Sequence, residues 1–414
     1  MTSDQESLLA TIAARPDDDL PRLVYADWLD ERGANADVAR AAFIREQIRE
    51  WRNPEPWELS QAPRPSAAIA EQYRDTWLAA LPEKQRPWVQ FERGFVETLR
   101  PVKVRTGFLP LLEKPAGELA TVRRLVIPGG NGMRGADYAR IAASPGLARL
   151  RELVTEDNVQ GPAVAVILAS PHLTQLESLR CLGQVYNPWA VLAAPPPAPL
   201  RRLTLTPCGW TVVGMRNGIE LDDIERSTLL RGLAELELRG QGTYMPDALG
   251  AICRGACLPQ VERLAFALAT GGPENIDPRI IGRMDLPRLR HLTVYYNGDA
   301  DRLADALASN PRADRLEGFA LNNSPLSLDA LSRFVDSYAL PGLKRLDVQV
   351  RGTPKPLCNY LLASDAPLRL DKLFVGWRRF NNRCGRRLKA KYGPRLQPHT
   401  DSQLDATLRR LGRA

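Results

Sequence analysis

The stretch Leu286-Pro287-Arg288-Leu289-Arg290-His291-Leu292-Thr293-Val294-Tyr295-Tyr296-Asn297 decides the fold. Its apolar residues Leu286, Leu289, Leu292 and Val294 fall at i, i+3, i+6 and i+8. The same frame returns as Ala313, Leu316, Phe319 and Leu321, and again as Leu340, Leu343, Leu346 and Val348. The last two positions alternate across one residue, the period of a half-buried strand. Between copies lies a helix-like run, Asp301-Arg302-Leu303-Ala304-Asp305-Ala306-Leu307. One strand–turn–helix unit cannot bury its own apolar edge. Copies must therefore stack, and the chain reads as an α/β solenoid.

Working outward, the frame recurs ten times. The third positions are Leu125, Leu153, Leu179, Leu203, Leu236, Leu264, Leu292, Phe319, Leu346 and Leu373, with steps of 28, 26, 24, 33, 28, 28, 27, 27 and 27 residues. Gly94 to Leu99 reads as an irregular first repeat. Prolines such as Pro145 and Pro171 end one helix before the chain turns into the next strand. The period and the helix in each repeat resemble leucine-rich repeats of the ribonuclease-inhibitor type. That resemblance implies a horseshoe with a parallel inner sheet and outer helices. Ten strands at about 4.8 Å each span roughly 50 Å. The asparagine that usually follows the strand is clear at Asn297, so irregular turns are expected elsewhere. The 33-residue step contains Trp210 to Gly218, read as a protruding loop or small hairpin within a 206–229 insertion.

Upstream, Leu8, Leu9 and Ile12 outline a helix that Ser3 is placed to cap and Pro16 to end. Leu20, Leu23, Val24 and Trp28 share one face of a second helix, stopped at Gly33. A third runs from about Asp37 through Phe43, Ile44 and Ile48. Asp17-Asp18-Asp19 is expected to cap the second helix and favour its positive end. Three short helices form too small a core to be very stable alone, so docking on the next domain is expected. The strings Pro16-Asp17-Asp18-Asp19, Arg22 to Gly33 and Ala39 to Arg45 resemble the bacterial repeat-companion domain, which precedes leucine-rich repeats in many bacterial proteins. Ala42 stands where that family usually has an acid. The resemblance supports the architecture and supplies no mechanism.

The expected organisation is an all-α module over 1–52, a connector and N-terminal cap over 53–90, the solenoid over 91–375, and a basic cap with a tail helix over 376–414. In the connector, Ile69, Tyr73, Trp77 and Leu81 step by four along one helix, and Tyr73, Trp77 and Trp88 are expected to cover the first edge of the solenoid.

Lysine and arginine number 56 against 48 acids, a formal charge of +8, which permits acidic partners without demanding them. No signal-peptide core and no apolar run long enough to span a membrane is visible, which points to a cytoplasmic protein with no membrane partner. Six scattered cysteines, 181, 208, 253, 257, 358 and 384, read as reduced, mostly buried thiols.

In each strand the residues beside the two buried positions point to the concave face. Register brings Arg124, Glu152, Arg180, Arg202, Glu235, Glu237, Arg263, His291, Tyr295, Arg345, Asp347 and Phe374 there. Mixed charges with arginine and tyrosine anchors suit recognition of another protein. From Trp377 to Arg395 the basic residues include Arg378, Arg379, Arg383, Arg386 and Arg387, with no acid among them. The preferred reading is a capping helix ending at Gly393; the alternative is an anionic-ligand patch for nucleic acid. Histidines 172, 291 and 399 lie in no zinc-like spacing, and Gly129-Gly130-Asn131-Gly132 lacks the Lys-Ser/Thr of a phosphate loop. With no catalytic constellation, cofactor or metal site legible, the expectation is a non-enzymatic scaffold or adaptor. The partner's identity and the oligomeric state stay open.

Overall fold

A computed structural model describes residues 3–53, 64–102, 106–115, 117–127, 133–197, 199–208, 225–239, 246–268, 277–336, 340–375 and 382–398. The protein is α/β, with a mostly parallel sheet and intervening helices. It divides into two compact units. One is Met1–Val159 with Val166–Gly183 and Pro197–Pro199; the other is Gln160–Ala165 and Gln184–Pro196 with Leu200–Ala414. Most of the 206–229 insertion, Gly129 to Gly132, Trp377 to Phe380 and the expected tail helix lie outside the described residues.

The first unit opens with four helices, α1 (Ser3–Ala14), α2 (Leu20–Arg32), α3 (Asn35–Arg52) and α4 (Pro65–Trp77). An antiparallel hairpin of β1 (Val89–Glu92) and β2 (Phe95–Leu99) follows. Its turn holds Arg93 at φ 48° and Gly94 at φ 87°. Gly94 also passes so close to α3 that a Cβ would lie 2.4 Å from Ile44 Cγ1, so both conformation and space require glycine. β3 (Arg124–Ile127), β4 (Glu152–Thr155) and β6 (Ser178–Tyr186) then add in parallel, with a two-residue strand, β5 (Val159–Gln160), before β6. Leu99, Leu125, Leu153 and Leu179 stand side by side in register.

α1, α2 and α3 close on the sheet through Leu9, Ile12, Tyr25, Ala26, Leu29, Ile44 and Ile48, which share one apolar cluster with Phe95 of β2. Only part of the apolar stripe read from the sequence of α2 is covered: Leu23 and Trp28 pack against this cluster, half-buried. Leu20 is 64% and Val24 45% exposed, whereas Arg22 is 1% exposed beside buried Tyr25, Ala26 and Leu29. The reason is a partner 75 residues away: Arg22 Nη2 meets Glu97 Oε1 of β2 at 2.5 Å and donates to Pro16 O at 2.8 Å. Its guanidinium lies 5.2 Å from the Phe95 ring. Burial pulls the Arg22 pKa down to about 10 against the opposing pull of Glu97, so it remains a cation at neutral pH.

The three aspartates divide their work. Asp18 Oδ1 accepts from the Leu20 amide, a local cap. Asp19, at the N-cap, makes no side-chain capping bond and pairs with Arg52 and Arg93. Asp17 takes Arg123 and Arg151. Within the resembling string, Arg45 bridges Asp27 and Asp30, and Arg40 reaches Glu118 at 2.6 Å while lying 4.4 to 5.8 Å from the rings of Phe91, Trp77, Phe43 and Phe95.

In the second unit β7 (Arg202–Cys208), β8 (Glu235–Leu238), β9 (Arg263–Leu268), β10 (His291–Tyr296), β11 (Gly318–Leu326), β12 (Arg345–Val350), β13 (Lys372–Val375) and β14 (Leu396–Pro398) pair in parallel with each successive neighbour. Leu203, Leu236, Leu264, Leu292, Phe319, Leu346 and Leu373 form one row, which Leu396 extends. All frame positions of the ten copies are buried. The burial is what fixes the register, because a one-residue slip would turn the whole apolar set to solvent.

The connecting segments stitch one repeat to the next. Asp299 caps the helix Ala300–Ala308 by accepting from the Asp301 and Arg302 amides, and its Leu303, Ala304 and Leu307 are buried. Buried Asn310 donates to Ile281 O and Met284 O, and Ser324 Oγ donates to Gly298 O. A last described helix, Asn382–Tyr392, buries Leu388 and Tyr392. It covers the carbonyl end of helix Pro354–Ala363: Tyr392 Oη donates to Leu361 O at 2.5 Å, and Lys391 Nζ to Leu362 O and Ser364 O. These bonds satisfy carbonyls that a helix end leaves free.

The expectation of six reduced cysteines is corrected here. Cys358 and Cys384 are joined, 26 residues apart in sequence, tying these two helices together. Cys181, Cys253 and Cys257 are buried thiols outside any disulfide, as expected. No described helix is long and apolar enough to cross a membrane.

Candidate binding face

Strand alternation sends every second side chain to the face of the sheet opposite the core. The sequence-derived candidates therefore fall into rows that cross the strands. The rows differ from place to place in how their charges are answered.

In the first unit they answer one another. Arg124 pairs with Glu92 and, at 2.5 Å, with Glu152, its neighbour in register. Arg180 reaches the same Glu152 at 3.6 Å. Burial opposes the Arg124 charge, but Glu92 and Glu152 outweigh it and raise its pKa. At the strand entries Arg123 joins Glu97 and Asp17, and Arg151 joins Asp17 and Glu177. The Asp17 carboxyl is held below its ordinary range: burial works against its charge, and the Arg123 and Arg151 guanidiniums prevail.

In the second unit the row beginning at each strand runs Arg202, Glu235, Arg263, His291, Gly318, Arg345, Lys372. Glu235 and Arg263 pair at 2.6 Å. Burial nevertheless raises the Glu235 pKa, with Arg263 and Arg202 opposing. One row further along, Glu237 pairs with Arg239 at 2.6 Å and accepts from Thr204 Oγ1.

Across β10 to β13 the pattern changes. His291, Arg345 and Lys372 stand in one row, and among the described residues no carboxylate lies within ion-pair distance of any of them. Glu317, the nearest acid at the strand entries, is already held by Arg290 at 2.5 Å and Lys344 at 2.9 Å. Burial lowers the His291 pKa, and Arg263, Arg345 and Arg290 push the same way against Glu317. Arg345 Cζ lies over the Phe374 ring, 4.8 Å from its centroid. Burial lowers its pKa, with Asp347 opposing. Asp347 itself is 3% and Phe374 5% exposed.

β11, between these residues, carries small side chains on this face: Gly318, then Ala320. A Cβ at Gly318 would lie 2.5 Å from His291 Nδ1, so the imidazole lies over the glycine. The next residue on this face is Asn322, beside Tyr295 in register. Its Nδ2 is buried and has no hydrogen-bond partner. An amide group left so is costly unless something accepts from it.

Of the sequence-derived candidates, the structure thus brings together Arg124, Glu152 and Arg180 in one ion-paired group, and Glu235 with Arg263 in another. His291, Arg345, Phe374 and Tyr295 gather around β11. Gly318 and Lys372, which the strand register also sends to this face, belong with them, as does Asn322, which the sequence reading missed. Asn322 sits one step past Leu321 in the strand alternation, the signal by which it is found. Arg383, Arg386 and Arg387 are exposed on the helix Asn382–Tyr392. Arg378 and Arg379 lie outside the described residues. Among the described residues no group of three or more histidine, cysteine, aspartate or glutamate side chains is placed to hold a metal ion.

No protein family's sequence profile matches the chain, and no curated protein matches it.

Proposed function

We propose that this chain is a leucine-rich-repeat solenoid with a repeat-companion segment at its N-terminus, acting as a non-enzymatic scaffold that binds another protein on the concave face of its sheet. The row His291, Arg345, Lys372 carries this reading. Charges elsewhere on that face are answered within the chain. Among the described residues the Arg345 and Lys372 cations are not, and with the His291 imidazole they stand beside the aromatic rings of Phe374 and Tyr295, side chains that anchor interfaces. The ten-copy frame and its in-register burial support the repeat reading. The N-terminal helices fit a capping role, because Arg22 of α2 engages Glu97 of β2 and Asp19 engages Arg93 of the hairpin turn.

The test is affinity capture by the full chain from lysate of its source, with and without nuclease, read by quantitative mass spectrometry. Thr293→Trp serves as the blocked control, since Thr293 is half-exposed on β10 and a bulky ring there covers the face. A protein captured by the wild type, retained after nuclease and lost on T293W supports the reading. An identical set captured by both chains refutes it.

A second reading rests on a separate observation. Arg383, Arg386 and Arg387 are exposed at i, i+3 and i+4 on one helix, with no ion pair among the described residues. A nucleic acid bound there would show affinity falling steeply between about 50 and 200 mM salt. Salt-insensitive or absent binding of single-stranded DNA and RNA removes it.

A further inference from the structure

The face over β11 has a chemistry specific enough to describe its occupant, on the reading that the sheet binds a protein. Four observations converge. First, the strand-entry row there offers His291, Arg345 and Lys372 with no carboxylate within ion-pair distance among the described residues. Asp347, the acid on this part of the face among the described residues, is 3% exposed, so the accessible charge is cationic. Second, Gly318 and Ala320 keep the middle of the strip low, while Thr293 and Tyr295 on one side and Gln349 on the other carry longer side chains. Third, Asn322 Nδ2 is a buried donor lacking an acceptor. Fourth, Arg345 rests over the Phe374 ring, which limits the freedom it must give up on binding.

We infer that an extended, acidic segment of another protein lies along β11, with a carboxylate between His291 and Arg345 and a carbonyl accepting from Asn322 Nδ2. His291 and Arg345 flank Gly318 on neighbouring strands, so their Cα atoms are roughly 10 Å apart. That gap admits one carboxylate touching both side chains. The donor at Asn322 lies four residues along the same strand from Gly318, roughly 13 Å away. An extended segment spans that distance; a single small anion does not. Charge complementarity thus selects the occupant, and the two separated groups select its extended form.

The test selects a random dodecapeptide phage library on the immobilised full chain. Enriched peptides, fluorescein-labelled, are then titrated into the wild type, R345E/K372E and T293W, each checked for native circular dichroism. An Asn322→Leu chain, which keeps the branched shape and removes the donor, serves as a further variant should the charge reversal fold poorly. The expected result is Asp/Glu-rich peptides that lose at least about tenfold in affinity on R345E/K372E. They should also lose binding on T293W and weaken on N322L.

Neutral or basic peptides that are lost on T293W but indifferent to R345E/K372E overturn the acidic occupant while sparing the binding face. Peptides indifferent to every variant, or no enrichment at all, overturn both. A dT20 oligonucleotide that displaces the peptides with equal affinity assigns the row to phosphate and overturns the inference as well.

Discussion

Arg22 of α2 and Glu97 of β2 meet at 2.5 Å with both side chains 1% exposed. The pair anchors the helical segment to the strand on which the first unit's parallel sheet is built. Glu97 also receives Arg93 at 3.5 Å and Arg123 at 2.6 Å. One carboxylate therefore answers three guanidiniums, two of them buried.

Glu97→Gln should consequently be among the most damaging single changes in the first unit. Removing one partner of a buried ion pair costs about 3–5 kcal/mol, because the remaining charge is left unanswered. Urea denaturation of wild type and E97Q measures it. A midpoint unchanged within error would mean that Asp17, Asp19 and backbone carbonyls already satisfy the arginines.

Gly318→Ala should lose stability through contact with His291. The added methyl would sit 2.5 Å from Nδ1, and a crowded insertion typically costs about 1–3 kcal/mol. The same change made on His291→Ala should cost much less. A double-mutant cycle reads the coupling, expected at about 0.5–3 kcal/mol. Additive effects would show that the imidazole swings aside freely.

Acidification should destabilise the chain partly through His291. Burial and the cations Arg263, Arg345 and Arg290 depress its folded pKa below 6.5, with Glu317 opposing. The unfolded chain thus takes up a proton that the folded chain resists. Stability is full above the unfolded value of 6.5 and falls as pH drops below it. Denaturation at about pH 7.5 and about pH 5.5 should show a larger loss for wild type than for His291→Gln. Equal losses would remove the depressed imidazole. A bound carboxylate should act in the opposite sense, so an acidic peptide should bind more tightly at the lower pH.

Reduction should loosen the helix Asn382–Tyr392. The Cys358–Cys384 bond closes a loop of 26 residues, for which chain entropy gives an upper figure of about 3.5 kcal/mol. Alkylation without reductant followed by peptide mapping should recover the two cysteines as one linked peptide, and dithiothreitol should lower the denaturation midpoint. Free, alkylated Cys358 and Cys384 in the native chain would contradict the bond.

Legibility in the sequence followed the range of the interactions. The frame from Leu119 to Val375 was readable because each apolar position is set by its local neighbours and repeated. Arg22 was not readable as a core residue, since its warrant lies at Glu97. The β1–β2 hairpin turns at Arg93 and Gly94; Arg93 is a residue type that seldom takes positive φ, so Gly94 alone marked the turn and reads as the start of a strand. β14 escaped because Leu396-Gln397-Pro398 carries one frame-like leucine, recognisable only beside Leu373. Alternation lists candidates for the face, but the sequence cannot say which are already paired. Arg124 and Arg345 look alike on paper; Glu92 and Glu152 distinguish them. Cys358 and Cys384 look scattered until the repeat period brings them to adjacent helices.

Pro398 closes β14, the outermost strand beside β13. A proline nitrogen carries no hydrogen, so that position offers an incoming strand no donor. At the opposite end of the strand order, β1 runs antiparallel to β2 and bends at an irregularity between Gln90 and Phe91. Among the described residues, neither rim presents the straight parallel template that the interior strands offer one another. A stack of repeats is in principle an open-ended polymerisation seed, since each strand is a fit for the next. The two dissimilar rims therefore act as terminators that oppose fibre growth by end-to-end strand addition.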